Sequence, residues 1–167
     1  VKGYSNTLYT LLMAIPELFG KDPVAFSKVL GAISFCAVCW VGYRLYAAAD
    51  TATARDCGCV FVALWATATP IAIHFMNGLE TGLYTALVFA AVVARLHEQE
   101  SDNKPWSALL FAGVVWSRPE GILFFGAMAL HDVAFAIVQR RRLRLEDVVW
   151  YAAPLVAYAG ELLVSHA

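Results

Sequence analysis

Few residues of this chain could do chemistry, and they sit in apolar surroundings. Arg118 and Glu120 flank a proline in Ser117-Arg118-Pro119-Glu120. A guanidinium fork can hold a phosphate through two parallel N–H bonds. A charge at a helix break inside an apolar region is costly unless it is paired, hydrated or used. Pairing of Arg118 with Glu120, or snorkelling of Arg118 to a membrane surface, explains the same residues equally well. Glu80 lies in Asn77-Gly78-Leu79-Glu80-Thr81-Gly82. Asn-Gly signals a turn, and the helix dipole favours an acid in a first turn. Glu80 therefore reads first as a helix start. Its second reading is a carboxylate that hydrogen-bonds a sugar hydroxyl or holds a metal.

His74, just before that turn, reads as a hydrogen-bonded packing or interface residue rather than a base. Glu161 is an acid inside an apolar stretch and a functional candidate by position. His131 and Asp132 could pair with a neighbouring helix, and no role is assigned to them. Tyr4, Tyr9 and Trp116 could stack on a sugar, but the tyrosines and tryptophans mostly fall near the ends of apolar stretches, where a membrane-interface belt accounts for them. Cys36, Cys39, Cys57 and Cys59 have no histidine close enough in sequence to complete a zinc pattern, and read as small packing residues. No glycine-rich phosphate loop, nucleophile elbow or HExxH pattern occurs.

The elements that must carry these residues follow from composition. The chain has 167 residues, 60% apolar and 15% charged, with a mean hydropathy of +0.64. A soluble domain holds nearer 45–50% apolar and about 25% charged residues. The excess is too large for one core that must still cover itself with polar surface. Soluble, disordered, fibrous and nucleic-acid-binding classes are excluded, and a net charge of −1 offers no electrostatic partner. The expectation is an all-α, polytopic transmembrane helix bundle forming one domain over 1–167. The first residue is Val1, and the chain reads as an internal part of a longer protein, or a processed one.

A membrane-crossing helix needs about 20 mostly apolar residues. Windows at 24–49, 57–76, 79–96, 106–117 with 121–138, and 148–167 are the expected spans. Residues 6–19 suit a short interfacial helix, and 106–117 is too short to cross alone. A residue before proline is pushed out of helical geometry, so a broken helix is expected at Arg118-Pro119. Orientation follows from loop charge. With the connections at 49–56, 95–105 and 139–145 on the cytoplasmic side, that side holds Arg44, Arg55, Arg95, Lys104, Arg140, Arg141, Arg142 and Arg144. The other side holds Lys2, Lys21, Lys28 and Arg118. Residues 1–22, the Asn77-Gly78 turn and Arg118-Pro119-Glu120 then share the outer side.

The order of these pieces resembles the integral-membrane GT-C glycosyltransferases. The matching segments are Gly3-Tyr4-Ser5-Asn6-Thr7-Leu8-Tyr9-Thr10-Leu11-Leu12, Leu18-Phe19-Gly20-Lys21-Asp22-Pro23, a span beginning Phe26-Ser27-Lys28-Val29-Leu30-Gly31, then Asn77-Gly78-Leu79-Glu80-Thr81-Gly82-Leu83-Tyr84 and Ser117-Arg118-Pro119-Glu120-Gly121. They resemble most the bacterial mannosyl- and arabinofuranosyltransferase-like members, over nearly the whole chain. The resemblance implies transfer of a sugar from a polyprenyl-phosphate carrier in the cytoplasmic (inner) membrane to an extracytoplasmic glycan, lipid or protein acceptor. It places the catalytic acid upstream of residue 1 and leaves a divalent metal open as cofactor. It makes Arg118, Glu120, Glu80, Asn77, His74, Tyr4 and Asn6 the candidate substrate-binding residues, with Arg118 on the carrier phosphate. A transporter or channel component, with Arg118, Glu80 and Glu161 lining a path, is the main alternative. A structural membrane subunit is the third reading.

Overall fold

Helix boundaries in this chain are set by a few local signals. The computed structural model describes residues 6–47, 51–77, 80–100, 106–138 and 145–166, apart from the side chains at 99, 100, 145–151, 161 and 164–166. Helix α1 (Thr7–Leu18) ends where Gly20 takes a positive φ of 63°, a conformation glycine adopts without steric cost. Helix α2 (Pro23–Ala47) opens on a proline, whose missing N–H matters least there. The Asp22 carboxylate caps it, accepting from the amides of Val24 at 2.9 Å and Ala25 at 3.3 Å. Thr51 caps α3 (Ala52–Thr67) through the Ala54 amide at 3.1 Å.

The window at 57–76 is not one straight span. Helix α4 (Thr69–Met76) is bent 66° from α3 at Ala68. Pro70 lies in the first turn of α4 and offers no N–H to the carbonyls of α3. The Thr67 hydroxyl also donates back to the Ala63 carbonyl at 2.7 Å, a local bond that bends helices. Helices α5 (Glu80–Glu100), α6 (Trp106–Ser117), α7 (Gly121–Val138) and α8 (Leu145–His166) complete the chain. All regular structure among the described residues is helical, and the helix break expected at Arg118-Pro119 separates α6 from α7.

Among the described residues, two helices, α2 and α7, can cross a membrane by length and composition, or three if the bent α3–α4 pair counts as one. The expected span at 79–96 is not among them, and that at 148–167 lies partly outside the described residues. Helix α6, with 12 residues, is about 18 Å long and, as expected, too short to cross a hydrocarbon layer of about 30 Å alone. Helix α5 carries Glu80 at its start and Arg95, Glu98 and Glu100 towards its end.

Contacts fix the helix directions. Gly42 of α2 abuts the Phe61 ring of α3, and Gly31 abuts the Phe75 carbonyl of α4, so α2 runs antiparallel to α3–α4. Tyr84 meets Phe124 and Arg95 meets Asp132, so α5 and α7 run parallel. Helix α6 runs back between them, with Glu80 near Arg118 at one end and Glu98 near Ser107 at the other. The turn between α6 and α7 is tight: a side chain at Gly121 would meet the Val114 carbonyl oxygen at 2.8 Å. Ala91, Phe111, Val114 and Phe125, from α5, α6 and α7, form the apolar core. Trp116 of α6 reaches α8, its Nε1–H donating to the Ala157 carbonyl at 2.9 Å.

The surface is inverted relative to a water-soluble protein. Leu123, Leu130, Ile137 and Val138 of α7 are exposed, as are Leu18, Ile33, Trp40 and Leu64, while Arg95 and Asp132 are buried. Apolar patches of this extent mark contact with lipid or protein. Arg95 thus departs from its assignment as a loop charge. It lies within α5, with Nε 2.8 Å from Asp132 Oδ2 and Nη1 3.4 Å from Glu98 Oε2. Cys36, Cys57 and Cys59 are exposed rather than packed. Tyr4, Gly78, Lys104 and the cluster Arg140–Arg144 lie outside the described residues, as does the side chain of Glu161.

Candidate functional site

Glu80 and Arg118, 38 residues apart in sequence, meet at one end of the bundle. Glu80 is the first residue of α5, and Arg118 sits in the turn after α6. Arg118 Nη2 donates to Glu80 Oε1 at 2.6 Å, a charge-assisted bond at the short end of its range. The pair is partly accessible, with side-chain exposures of 34% for Arg118 and 18% for Glu80. Thr81 Oγ1 lies 3.4 Å from the same nitrogen. The guanidinium carbon sits 5.7 Å from the centre of the Tyr84 ring, where the ring face attracts a cation. Tyr84 is one helical turn beyond Glu80, so a single face of α5 supplies both contacts.

Helix α1 joins this cluster. The Asn6 side chain hydrogen-bonds the Glu80 carboxylate, which is also held by its own backbone amide. Tyr9, one turn along α1, is hydrogen-bonded with Ser27 of α2 and lies in the field of Glu80. Burial pushes the Tyr9 phenol above its ordinary range, Glu80's negative charge acts in the same direction, and the bond with Ser27 opposes both. Beside Arg118, the Ser117 hydroxyl is fully buried and finds no partner among the described residues.

The expected site residues divide accordingly. Arg118, Glu80 and Asn6 are brought together. Glu120 is exposed and close enough for its charge to reach Tyr84; Arg118 pairs with Glu80 and not, among the described residues, with Glu120. His74 and Asn77 are exposed at the end of α4, and no hydrogen bond or ion pair among the described residues ties them to Arg118 or Glu80. Ser27, Thr81 and Tyr84 were not singled out. The spacing of Tyr84 from Glu80 was a readable sign, because residues four apart share a helix face. Ser27 carried no such sign.

An apolar cavity of about 500 Å³ opens between α6 and α8, lined by Ala112, Gly113, Trp116, Ala153, Val156 and Ala157. Trp116, part of this lining, lies two residues before Arg118 in the chain. At the opposite end of α6, Glu98 accepts from the Ser107 amide at 2.8 Å and hydroxyl at 2.6 Å, beside the Arg95–Asp132 pair. No group of three or more metal-type side chains occurs among the described residues, and no chemical step is assigned to a metal. No family model matches the chain, and no curated protein or solved structure matches it either.

Proposed function

We propose that this chain is part of a membrane glycosyltransferase that moves a sugar from a polyprenyl-phosphate carrier to an extracytoplasmic glycan, lipid or protein acceptor. The observation that carries the reading is Arg118, a partly exposed cation held at a helix break by Glu80 and Tyr84, two residues along the chain from Trp116 in the lining of an apolar groove. When the sugar leaves its carrier, negative charge builds on the phosphate, and a fixed guanidinium stabilises that charge. The groove suits a hydrocarbon chain. Glu80, with Asn6 beside it, orients a hydroxyl of the sugar or acceptor. The arginine-rich 139–145 connection faces the cytoplasm in this reading, and the Arg118 end faces outwards.

The test is sugar transfer from a polyprenyl-phosphate donor by the full-length protein carrying Arg118→Ala or Glu80→Gln. Loss of about 100-fold in turnover is expected for Arg118→Ala, the scale of removing one charge-stabilising donor. Near-normal transfer by both variants would discard the assignment and favour a structural subunit, in which Arg118–Glu80 merely clamps α5 to the α6–α7 turn.

A further inference from the structure

We infer that Glu80 is a built-in counter-anion that competes with phosphate for Arg118, so that the carrier must displace or share this carboxylate before it can bind. The inference rests on the phosphate reading of Arg118 above and adds a gating role to Glu80. It starts from the unequal ways in which the two residues are held. Glu80 has three supports besides its ion pair: the Asn6 side chain, its own backbone amide, and the N-terminal end of α5, where the helix dipole favours negative charge. It keeps these when Arg118 turns away. Arg118 has Glu80 as its one close polar partner among the described residues, with Thr81 at a long 3.4 Å and the Tyr84 face at 5.7 Å. It also sits in a turn rather than in a helix. The arginine is therefore the member free to re-aim.

The chemistry of the exchange follows. A phosphate that takes the fork of Arg118 must leave Glu80 behind or sit beside it, and both outcomes oppose two negative charges. Anion affinity at Arg118 is thus set below what the guanidinium alone would give. Once phosphate holds Arg118, the Glu80 carboxylate loses its strongest donor and can accept from a hydroxyl. A neutral free sugar brings no anion and leaves the pair closed. The site consequently favours a sugar that arrives joined to a phosphate, and phosphate engagement frees the carboxylate that orients a hydroxyl of the sugar or acceptor.

The experiment measures binding of farnesyl phosphate, which carries no sugar, to the full-length protein in nanodiscs. Wild type is compared with Glu80→Gln and with Glu80→Ser, which retains a side chain favoured at a helix start. Arg118→Ala is the reference for loss of the site. Tighter binding by the uncharged Glu80 variants, by about tenfold, is expected, which corresponds to ~1.4 kcal/mol. Equal or weaker binding in whichever of these variants folds overturns the competition while leaving the phosphate reading intact. Absence of binding to every variant, or full binding to Arg118→Ala, overturns the phosphate reading itself and the inference with it.

Discussion

Arg95 and Asp132 form an ion pair at 2.8 Å inside the bundle, 37 residues apart in sequence, at the end opposite to Arg118 and Glu80. Both side chains are nearly inaccessible, at 11% and 5%. Glu98 shares Arg95 and also binds the first turn of α6 through Ser107. Three helices are therefore tied by one polar cluster, and the α6–α7 hairpin is held on α5 at both ends.

The Arg95–Asp132 pair yields an unfolding prediction. Breaking a buried pair strands a charge, at a cost of about 3–5 kcal/mol, whereas replacing both partners removes the stranded charge. Arg95→Ala and Asp132→Ala should each destabilise strongly, and the double variant should be less destabilised than their sum. A double-mutant cycle on unfolding in detergent measures the coupling; simple additivity would argue against the pair.

Glycines give a second, packing-based contrast. A methyl group at Gly31 would collide with the Phe75 carbonyl oxygen, and one at Gly42 with the Phe61 ring, while Gly126 has open space. Gly31→Ala and Gly42→Ala should cost roughly 1–3 kcal/mol through overpacking. Gly126→Ala should instead gain up to about 1 kcal/mol from helix propensity. Thermal denaturation of the three variants checks the ordering.

Much of this architecture is readable in the chain. The limits of α6 and α7 follow from where apolar residues stop, because Ser117-Arg118-Pro119-Glu120 supplies both charge and a helix breaker. The α3–α4 bend was signalled by Thr69-Pro70 but hidden by uninterrupted hydropathy. Arg95 misled for a different reason. Loop-charge counting treats a cation near a span end as exposed, and only the fold reveals Asp132 facing it. The same limit applies at the site: Arg118 and Glu80 could each be singled out by residue type, but their contact depends on α5 and α6 running antiparallel. Asn77 and His74 sit close to Glu80 in sequence, yet both are exposed.

A third prediction concerns pH. The raised Tyr9 pKa means the folded state favours the neutral phenol. That contribution is complete below the ordinary value of 10.0 and disappears as pH rises through the higher folded value. A spin label at Met13 should gain mobility at alkaline pH as the ionised Tyr9 leaves its buried position near Glu80. Tyr9→Phe should abolish that alkaline step, and an unchanged step would assign it to another group.

Charge and shape at residue 118 can be separated. Lysine preserves the charge but not the planar fork. Arg118→Lys should keep part of the sugar transfer, losing about tenfold against the larger loss for alanine. Turnover equal to that of wild type would mean that a point charge suffices.

The brevity of α6 carries a consequence for the surrounding lipid. Threaded through a bilayer, a helix about 18 Å long falls some 12 Å short of the acyl layer. Its two polar ends, Arg118 with Glu80 and Ser107 with Glu98, then lie sunk beneath the headgroups and walled by taller neighbours. Such a depression would let water dip inward to both polar ends of α6 while lipid tails stand at the same level beside its longer neighbours.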